Sequence, residues 1–306
     1  MQSERAVIVG AGAVGCYFGG MLARVGVPVT LIGRATHIDV IRRDGVFIDR
    51  SDFQDYIRVD GSTDIRAVAQ GTIVLLCVKT VDTETAAAAI APHLGTGSLL
   101  ISFQNGVDNV ERIERATGIH AIPAVVYVAA AMSGPGRVKH SGRGDLVIGD
   151  SGRRKDLERV AQLFERARIR CRISDDIAAE LWTKLVLNCA YNAISAVTQA
   201  RYGLIANNPM ARQVMEELVK EVLDVARAAG IALKDRELVT AAALKFGDTM
   251  ANATSSTAQD LARGRPTEID SLNGYISRRG KELGVPTPVN TTLYTLVKLL
   301  ENSNAG

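Results

Sequence analysis

One run, Trp182-Thr183-Lys184-Leu185-Val186-Leu187-Asn188-Cys189-Ala190-Tyr191-Asn192, places a lysine and two asparagines four residues apart. In a helix each such step drifts only roughly 40° around the axis. Lys184, Asn188 and Asn192 therefore share one polar stripe, while Leu181, Leu185, Val186 and Leu187 clothe the other faces. An ammonium and two amides in a row suit a carbonyl, a hydroxyl and a carboxylate. The competing reading is a solvated polar face, and the poor helix propensity of asparagine weighs against it. Further on, Ser256 and Gln259 in Thr254-Ser255-Ser256-Thr257-Ala258-Gln259-Asp260 fit a capping box that opens a helix. A cap and a ligand site are compatible there, because a helix N-terminus attracts a carboxylate. Glu268, just after Pro266, falls in the first turn of an expected helix, where the helix dipole alone can account for an acid.

The N-terminal half offers a different chemistry. Gly10-Ala11-Gly12-Ala13-Val14-Gly15 follows an apolar run and opens a small-residue helix. The first glycine permits a tight turn, the second lets a pyrophosphate approach the backbone, and the third lets the helix pack on the strand. The helix N-terminus supplies oriented N–H groups for the phosphates. A dinucleotide site is the expectation. The next strand ends Ile32-Gly33-Arg34 with no acid at the turn, and Arg42-Arg43 follow. A guanidinium there suits a 2′-phosphate, which points to NADP(H). Lys79 and Gln104-Asn105-Gly106 both follow apolar strands at the end where ligands bind in such sheets. Lys79 serves equally well as the polar terminator of its strand, and Asn-Gly is a common turn.

The elements that must position these groups follow from the pattern. Ala6–Val9, Val29–Ile32, Thr72–Val78 and Ser98–Ser102 read as strands, with helices at Ala13–Val25, around Thr83–His93 and around Val107–Thr117. Gly45–Ile48 and Tyr56–Val59 read as a local hairpin, and Ala121–Ala131, Arg137–His140 and Leu146–Ile148 as strands of open direction. Alternating strands and helices predict a parallel sheet covered on both faces. After one more strand at Ile169–Ile173 the chain reads as helices: 177–195, 211–229, 236–250, 268–283 and 291–301. The fold class is α/β: an N-terminal Rossmann-type dinucleotide-binding domain, residues 1–174, then an all-helical substrate and catalytic domain, residues 175–306.

Composition narrows the function. With 306 residues, 47% hydrophobic and 23% charged, the chain is an ordinary globular protein. Thirty-six basic against 33 acidic residues, scattered, leave no footprint for a nucleic acid, and 5% aromatics argue against a base-stacking platform. No apolar run approaches a membrane span, and Met1-Gln2-Ser3-Glu4-Arg5 enters a strand with no secretion signal. Cys16, Cys77, Cys171 and Cys189 read as reduced core residues, so a cytoplasmic location is expected. His37, His93, His120 and His140 lack ligand spacing, and no metal is expected.

Taken together the motifs resemble the ketopantoate reductase (2-dehydropantoate 2-reductase) family over essentially the whole chain. The resemblance rests on Gly10–Gly15, Gln104-Asn105-Gly106, Lys184 to Asn192, Thr254 to Asp260, and Thr267-Glu268-Ile269-Asp270-Ser271-Leu272-Asn273-Gly274. It implies NADPH-dependent reduction of ketopantoate, a small 2-oxo acid, to pantoate, a step of pantothenate and coenzyme A biosynthesis, by a monomer or homodimer. Lys184 is then the proton donor to the keto oxygen. Asn188 and Asn192 contact substrate, and Ser256, with Thr257, Ala258 and Gln259 on the same turn, holds its carboxylate. Asn105 bridges nicotinamide and substrate. Gly10, Ala11, Gly12, Ala13, Val14, Gly15, Arg34, Lys79, Glu268 and the backbone of Ala131 contact the cofactor. The chain departs from the family at Ala200-Arg201-Tyr202-Gly203, where members can carry a further substrate-binding asparagine. Two alternatives are a reductase of another 2-oxo acid on the same fold and a non-catalytic NADPH-binding regulator.

Overall fold

The computed structural model describes residues 4–233 and 235–303; the Met1-Gln2-Ser3 start of the N-terminal reading lies outside them. Strand β1 (Ala6–Val9) is buried throughout. Ala6 and Ile8 belong to one apolar cluster, Val7 and Val9 to another. Strand residues alternate faces, so a run that is apolar at every position requires cover on both sides. Helix α1 (Ala13–Arg24) follows, then β2 (Val29–Ile32), α2 (Ala35–Asp44), β3 (Val46–Asp49), β4 (Gln54–Ile57) and β5 (Asp60–Ser62). Next come β6 (Ile73–Leu76), α3 (Thr83–Ile90), β7 (Leu99–Ser102), α4 (Asn109–Thr117), β8 (Ile122–Gly134), β9 (Arg137–Gly149), α5 (Arg154–Arg166) and β10 (Cys171–Ser174).

The sheet order is β4-β3-β9-β8-β7-β6-β1-β2-β5, with β10 beside β9. From β7 to β5 the neighbours are parallel, as expected. The two strands of open direction, Arg137–His140 and Leu146–Ile148, are parts of one long strand, β9, antiparallel to β8 and interrupted by bulges. The expected hairpin forms between β3 and β4, and β3 also joins the sheet through β9. Two of these helices, α2 and α5, escape the sequence reading. In α2 only Ile38 and Ile41 are buried, too few to mark a periodic face. In α5 the buried Leu157, Val160, Leu163 and Phe164 are helically spaced but diluted by charged residues.

The chain divides into two compact units, Met1–Ile177 and Ala178–Gly306. Helix α6 (Ile177–Thr198) opens the helical series. It is followed by α7 (Tyr202–Asn207), α8 (Pro209–Ala228), α9 (Arg236–Thr249), α10 (Ser256–Leu261), α11 (Asn273–Leu283) and α12 (Pro288–Ser303). The expected helix from Glu268 is broken. Ile269–Ser271 form a single 3-10 turn, and Leu272, at φ −114° and ψ −106°, leaves the helical basin before α11 begins. No helix among the described residues is long and apolar enough to cross a membrane.

Two local constraints set this frame. At the β1–α1 turn Gly10 has φ +114°, and a side chain there would meet the Cys77 backbone at 2.7 Å. A Cβ on Gly15 would sit 2.0 Å from the Gly10 carbonyl oxygen, whereas one on Gly12 would meet nothing within 4 Å. In the helical unit, the buried Glu221 of α8 caps α12 from outside. Its carboxylate accepts from Val289 N at 2.8 Å, Asn290 N at 2.9 Å and Asn290 Nδ2 at 2.8 Å. Asn290 Oδ1 accepts from Asn273 Nδ2 at 3.0 Å, which also reaches the Cys189 carbonyl of α6 at 3.4 Å. One carboxylate thus ties α8, α12, α11 and α6 together.

Gly15→Ala is expected to prevent stable folding, since backbone cannot retreat from a clash that close, while Gly12→Ala should melt within a few degrees of the parent; thermal unfolding by circular dichroism separates the two. Glu221→Ala leaves buried N–H groups unsatisfied and should cost about 3 kcal/mol. The loss is read as a lower urea midpoint in the fluorescence of Trp182, the only tryptophan of the chain.

Candidate active site

The parallel strands end level. Val9 pairs with Ile32 and with Leu76, and Leu76 pairs with Ser102. The loops that carry Gly10, Arg34, Lys79 and Asn105 therefore leave one edge of the sheet side by side. At β1 the strand order reverses direction, with β2 on one flank and β6 on the other. Such a switch point opens a crevice at the carboxyl edge. Into it faces the start of α1, with Gly12 as its N-cap, no side-chain cap and no acid in its first turn. The unpaired N–H groups of that turn and the positive end of the helix dipole meet the open space beside Gly12. A side chain at Gly12 would fill that cradle, so the residues present fit a pyrophosphate.

Packing within the unit engages some of the flanking groups. Arg42 donates to the Gly61 carbonyl at 2.9 Å, and Arg43 pairs with Asp44 at 2.7 Å. Arg34 is exposed at the N-cap of α2, and its carbonyl accepts from His37 N and Ile38 N. Lys79 is half-buried and precedes a 3-10 turn at Thr80–Asp82, three residues beyond the end of β6. Gln104 is buried: its amide donates to the Val78 carbonyl at 3.2 Å and to Thr83 Oγ1 at 2.8 Å, and accepts from Ser102 Oγ at 3.0 Å. That amide braces β7 against β6 and α3. Its neighbour Asn105 is half-buried, and the Asn105 carbonyl accepts from Asn109 Nδ2 at 2.6 Å. Ala131 lies further along β8, opposite Lys139 and beyond the pairing with β7 at Ile122 and Pro123.

In the helical unit the stripe on α6 runs inward. Lys184 and Asn188 are half-buried, and Asn192 is 4% exposed. Its inner end is where α10 docks: Ser255 Oγ donates to the Asn192 carbonyl at 3.2 Å, and Ser255 N donates to Ser195 Oγ at 3.2 Å. This corrects the expected capping box by one residue. Ser255, not Ser256, is the N-cap, its Oγ accepting from Ala258 N at 2.9 Å, while Gln259 Nε2 donates to the Thr254 carbonyl at 3.2 Å. The physical reason is burial: Ser255 is fully enclosed and spends its hydroxyl on the backbone, whereas Ser256 is exposed. Thr257 and Ala258 are buried. Ile269, next to Glu268, shares one apolar cluster with Ala193 of α6 and Ala258 of α10. The three motifs of this unit, around Lys184, Ser256 and Glu268, thus converge on one small core.

Glu268 itself is half-buried and precedes the 3-10 turn instead of lying in a helix. Its segment is pinned by residues the sequence reading passed over. Thr267 N donates to Glu301 Oε1 at 2.6 Å, and Asp270 accepts from Tyr294 OH at 2.6 Å and from Lys298 Nζ at 3.0 Å. The i, i+4, i+7 spacing of Tyr294, Lys298 and Glu301 on one helix face was the available signal. Tyr202, the departure from the family pattern, is buried against Tyr191 at 4.7 Å and Phe246 at 5.8 Å between ring centres. All four cysteines are free. Burial pushes the Cys16 thiol up to about 12 and raises those of Cys77 and Cys189, so none offers a ready thiolate. Among the described residues no group of three or more His, Cys, Asp or Glu could hold a metal ion.

The chain is similar to known proteins over nearly its whole length. Residues 6–153 match the family model for ketopantoate reductase PanE/ApbA, and residues 176–301 match the model for its C-terminal part. The 2-dehydropantoate 2-reductase of Pyrococcus horikoshii is 33% identical over 303 residues, covering 98% of each chain. A crystal structure of a PanE/ApbA family ketopantoate reductase from Ralstonia eutropha is 44% identical, with a TM-score of 0.92 over 98% of this chain and 100% of that one. A ternary structure of D-mandelate dehydrogenase with NADH and anilino(oxo)acetate is 25% identical, with a TM-score of 0.91 over 98% of this chain and 99% of that one. A switch-point edge with an open glycine cradle and a Lys–Asn–Asn helix are thus accompanied by matches along nearly the full length, and the chain belongs to the ketopantoate reductase family of oxidoreductases.

Proposed function

We propose that the protein reduces ketopantoate to pantoate with NADPH, a step of pantothenate and coenzyme A biosynthesis. In this reading residues 1–174 bind the nucleotide and residues 175–306 bind the oxo acid. The observation that carries the reading is the Lys184–Asn188–Asn192 stripe, braced at Asn192 by the start of α10. The turn from Gly10 to Gly15, with Lys79, Asn105 and the backbone of Ala131, would hold the nucleotide, Glu268 would contact it, and Arg34 would take a 2′-phosphate bidentately. When bound, the nicotinamide supplies the hydride to the ketone carbon.

The chain's own residues do the rest. The Lys184 ammonium donates to the keto oxygen, stabilises the negative charge that develops there, and delivers the proton that completes the hydroxyl. Asn188 and Asn192 hold the substrate's polar groups in register with Lys184. Because Ser255 spends its hydroxyl on the cap, the exposed Ser256 hydroxyl receives the carboxylate, with Thr257, Ala258 and Gln259 shaping that turn. The likeness to D-mandelate dehydrogenase supports a second reading, in which the same machinery reduces another 2-oxo acid.

Lys184→Ala should lower kcat by about a hundredfold or more while the Kd for NADPH stays nearly constant, because the interaction strengthens as charge develops. An unchanged kcat removes Lys184 as proton donor. Nicotinamide absorbance followed with ketopantoate and other branched 2-oxo acids, using NADPH and NADH, tests the substrate. Fast turnover only on another acid moves the assignment to the second reading, and NADPH binding without turnover on any acid makes the protein a regulator. Arg34→Ala should weaken NADPH roughly tenfold and leave NADH unaffected; equal losses for both would deny Arg34 the phosphate.

A further inference from the structure

The turn after β2 lacks an acid, but the strand beside it supplies one. Strand β5 runs parallel to β2, with Ile32 opposite Ser62 and the Gly33 N–H donating to the Ser62 carbonyl at 3.1 Å. Arg34 is the second residue beyond that pair on one strand, and Asp64 is the second on the other. Both backbones stay extended, Arg34 at φ −69° and ψ 147° and Asp64 at φ −95° and ψ 119°. They therefore leave the edge side by side, about one strand spacing or roughly 4.8 Å apart. Ser62 fixes the second turn: its hydroxyl receives the Asp64 N–H at 3.0 Å and donates to the Asp64 carbonyl at 3.2 Å.

A carboxylate at this level suits the ribose hydroxyls of an unphosphorylated nucleotide and repels a 2′-phosphate. Here Arg66 occupies it. Its Nε donates to Asp64 Oδ1 at 3.0 Å and to Oδ2 at 2.8 Å, its Nη2 lies 2.6 Å from Oδ2, and its backbone N–H reaches Oδ1 at 2.9 Å. Both carboxylate oxygens are thus engaged by a cation only two residues away. The other arginines of this flank answer to other groups, Arg42 to the Gly61 carbonyl and Arg43 to Asp44. The Asp64 and Arg66 side chains are 46% and 74% exposed, so their pairing adds little to stability. Its consequence is electrostatic: the position beside Arg34 carries a neutral pair instead of an anion.

We infer that Arg66 is a specificity-determining residue for the nucleotide: by neutralising Asp64 it removes the repulsion that this acid would exert on a 2′-phosphate at Arg34, and so tilts the site from NADH towards NADPH. The role rests on Arg34 as the phosphate contact, as proposed above. Specificity is a difference between two affinities, and removing a repulsion contributes to it as an added attraction does.

The test titrates the full-length protein with NADPH and with NADH, read by nicotinamide fluorescence. Arg66→Gln should raise the Kd for NADPH roughly fivefold at low salt while the Kd for NADH does not rise. In about 0.5 M salt that penalty should shrink to less than about twofold, because exposed charges are screened. Adding Asp64→Asn, which keeps a good N-cap, should return the Kd for NADPH to within about twofold of the parent. A double variant as weak as Arg66→Gln alone overturns the inference, because the guanidinium then acts on the nucleotide without Asp64. Equal losses for NADPH and NADH overturn it as well, since the pair then only supports the turn, and so does an unchanged Kd for NADPH. Should Arg34→Ala weaken both nucleotides alike, it is the placement of the phosphate at this edge that fails, and the role of Arg66 falls with it.

Discussion

The approach of α1 to β1 is the constraint on which the sheet-bearing half depends. Gly15 brings the helix so near the Gly10 carbonyl that no side chain fits between them. That contact lets α1 lie across the sheet, where Cys16, Tyr17, Phe18, Met21 and Leu22 join the apolar cluster on one of its faces. It also fixes where α1 begins. The helix starts at a place in the sheet where the strand order reverses, so its unpaired N–H groups open onto the crevice that the fold creates there. Gly10 and Gly15 serve packing, and Gly12 faces free space. The spacing of the motif thus separates the glycines that the fold requires from the one whose side-chain position the fold leaves open.

In the helical half polar groups do the positioning that glycines do in the first. Glu221 satisfies the start of α12, and its partner Asn290 passes the connection through Asn273 to the middle of α6. Ser255 and Ser195 attach α10 to the inner end of the same helix. Each is a buried group with its partners in place, and each would be expensive to leave unsatisfied. The result is that Lys184, Asn188 and Asn192 project from a helix braced at several points along its length. The proton-donor role proposed for Lys184 would call for preorganisation of this kind, because no reorganisation is then needed when charge develops.

Much of this was legible in the residues. Apolar strands, helices and the glycine turn were readable because each depends on neighbours within a few positions. The stripe on α6 was readable for the same reason, since helical geometry alone puts Lys184, Asn188 and Asn192 on one face. Helices α2 and α5 were missed because their few apolar anchors are lost among charges, and only contact with the sheet stabilises them. The cap at α10 was placed one residue late: Ser255 and Ser256 have the same chemistry, and burial alone distinguishes them.

By itself, then, the sequence determined the strand-and-helix alternation, the glycine-rich turn, the polar stripe and the family. These are properties of local spacing and of motifs in order, and they need no distant partner. Tertiary structure decided the rest. It joined two apparent strands into β9 and broke the helix expected at Glu268. It assigned Gln104 to packing beside the half-buried Asn105, and brought Glu221 to a helix start far along the chain. Asp270, Lys298 and Glu301 meet only because α12 folds back onto the segment that carries Glu268. Hydrogen bonds and ion pairs between residues distant in sequence leave no periodic trace, so their partners emerge only when packing removes the alternative of water.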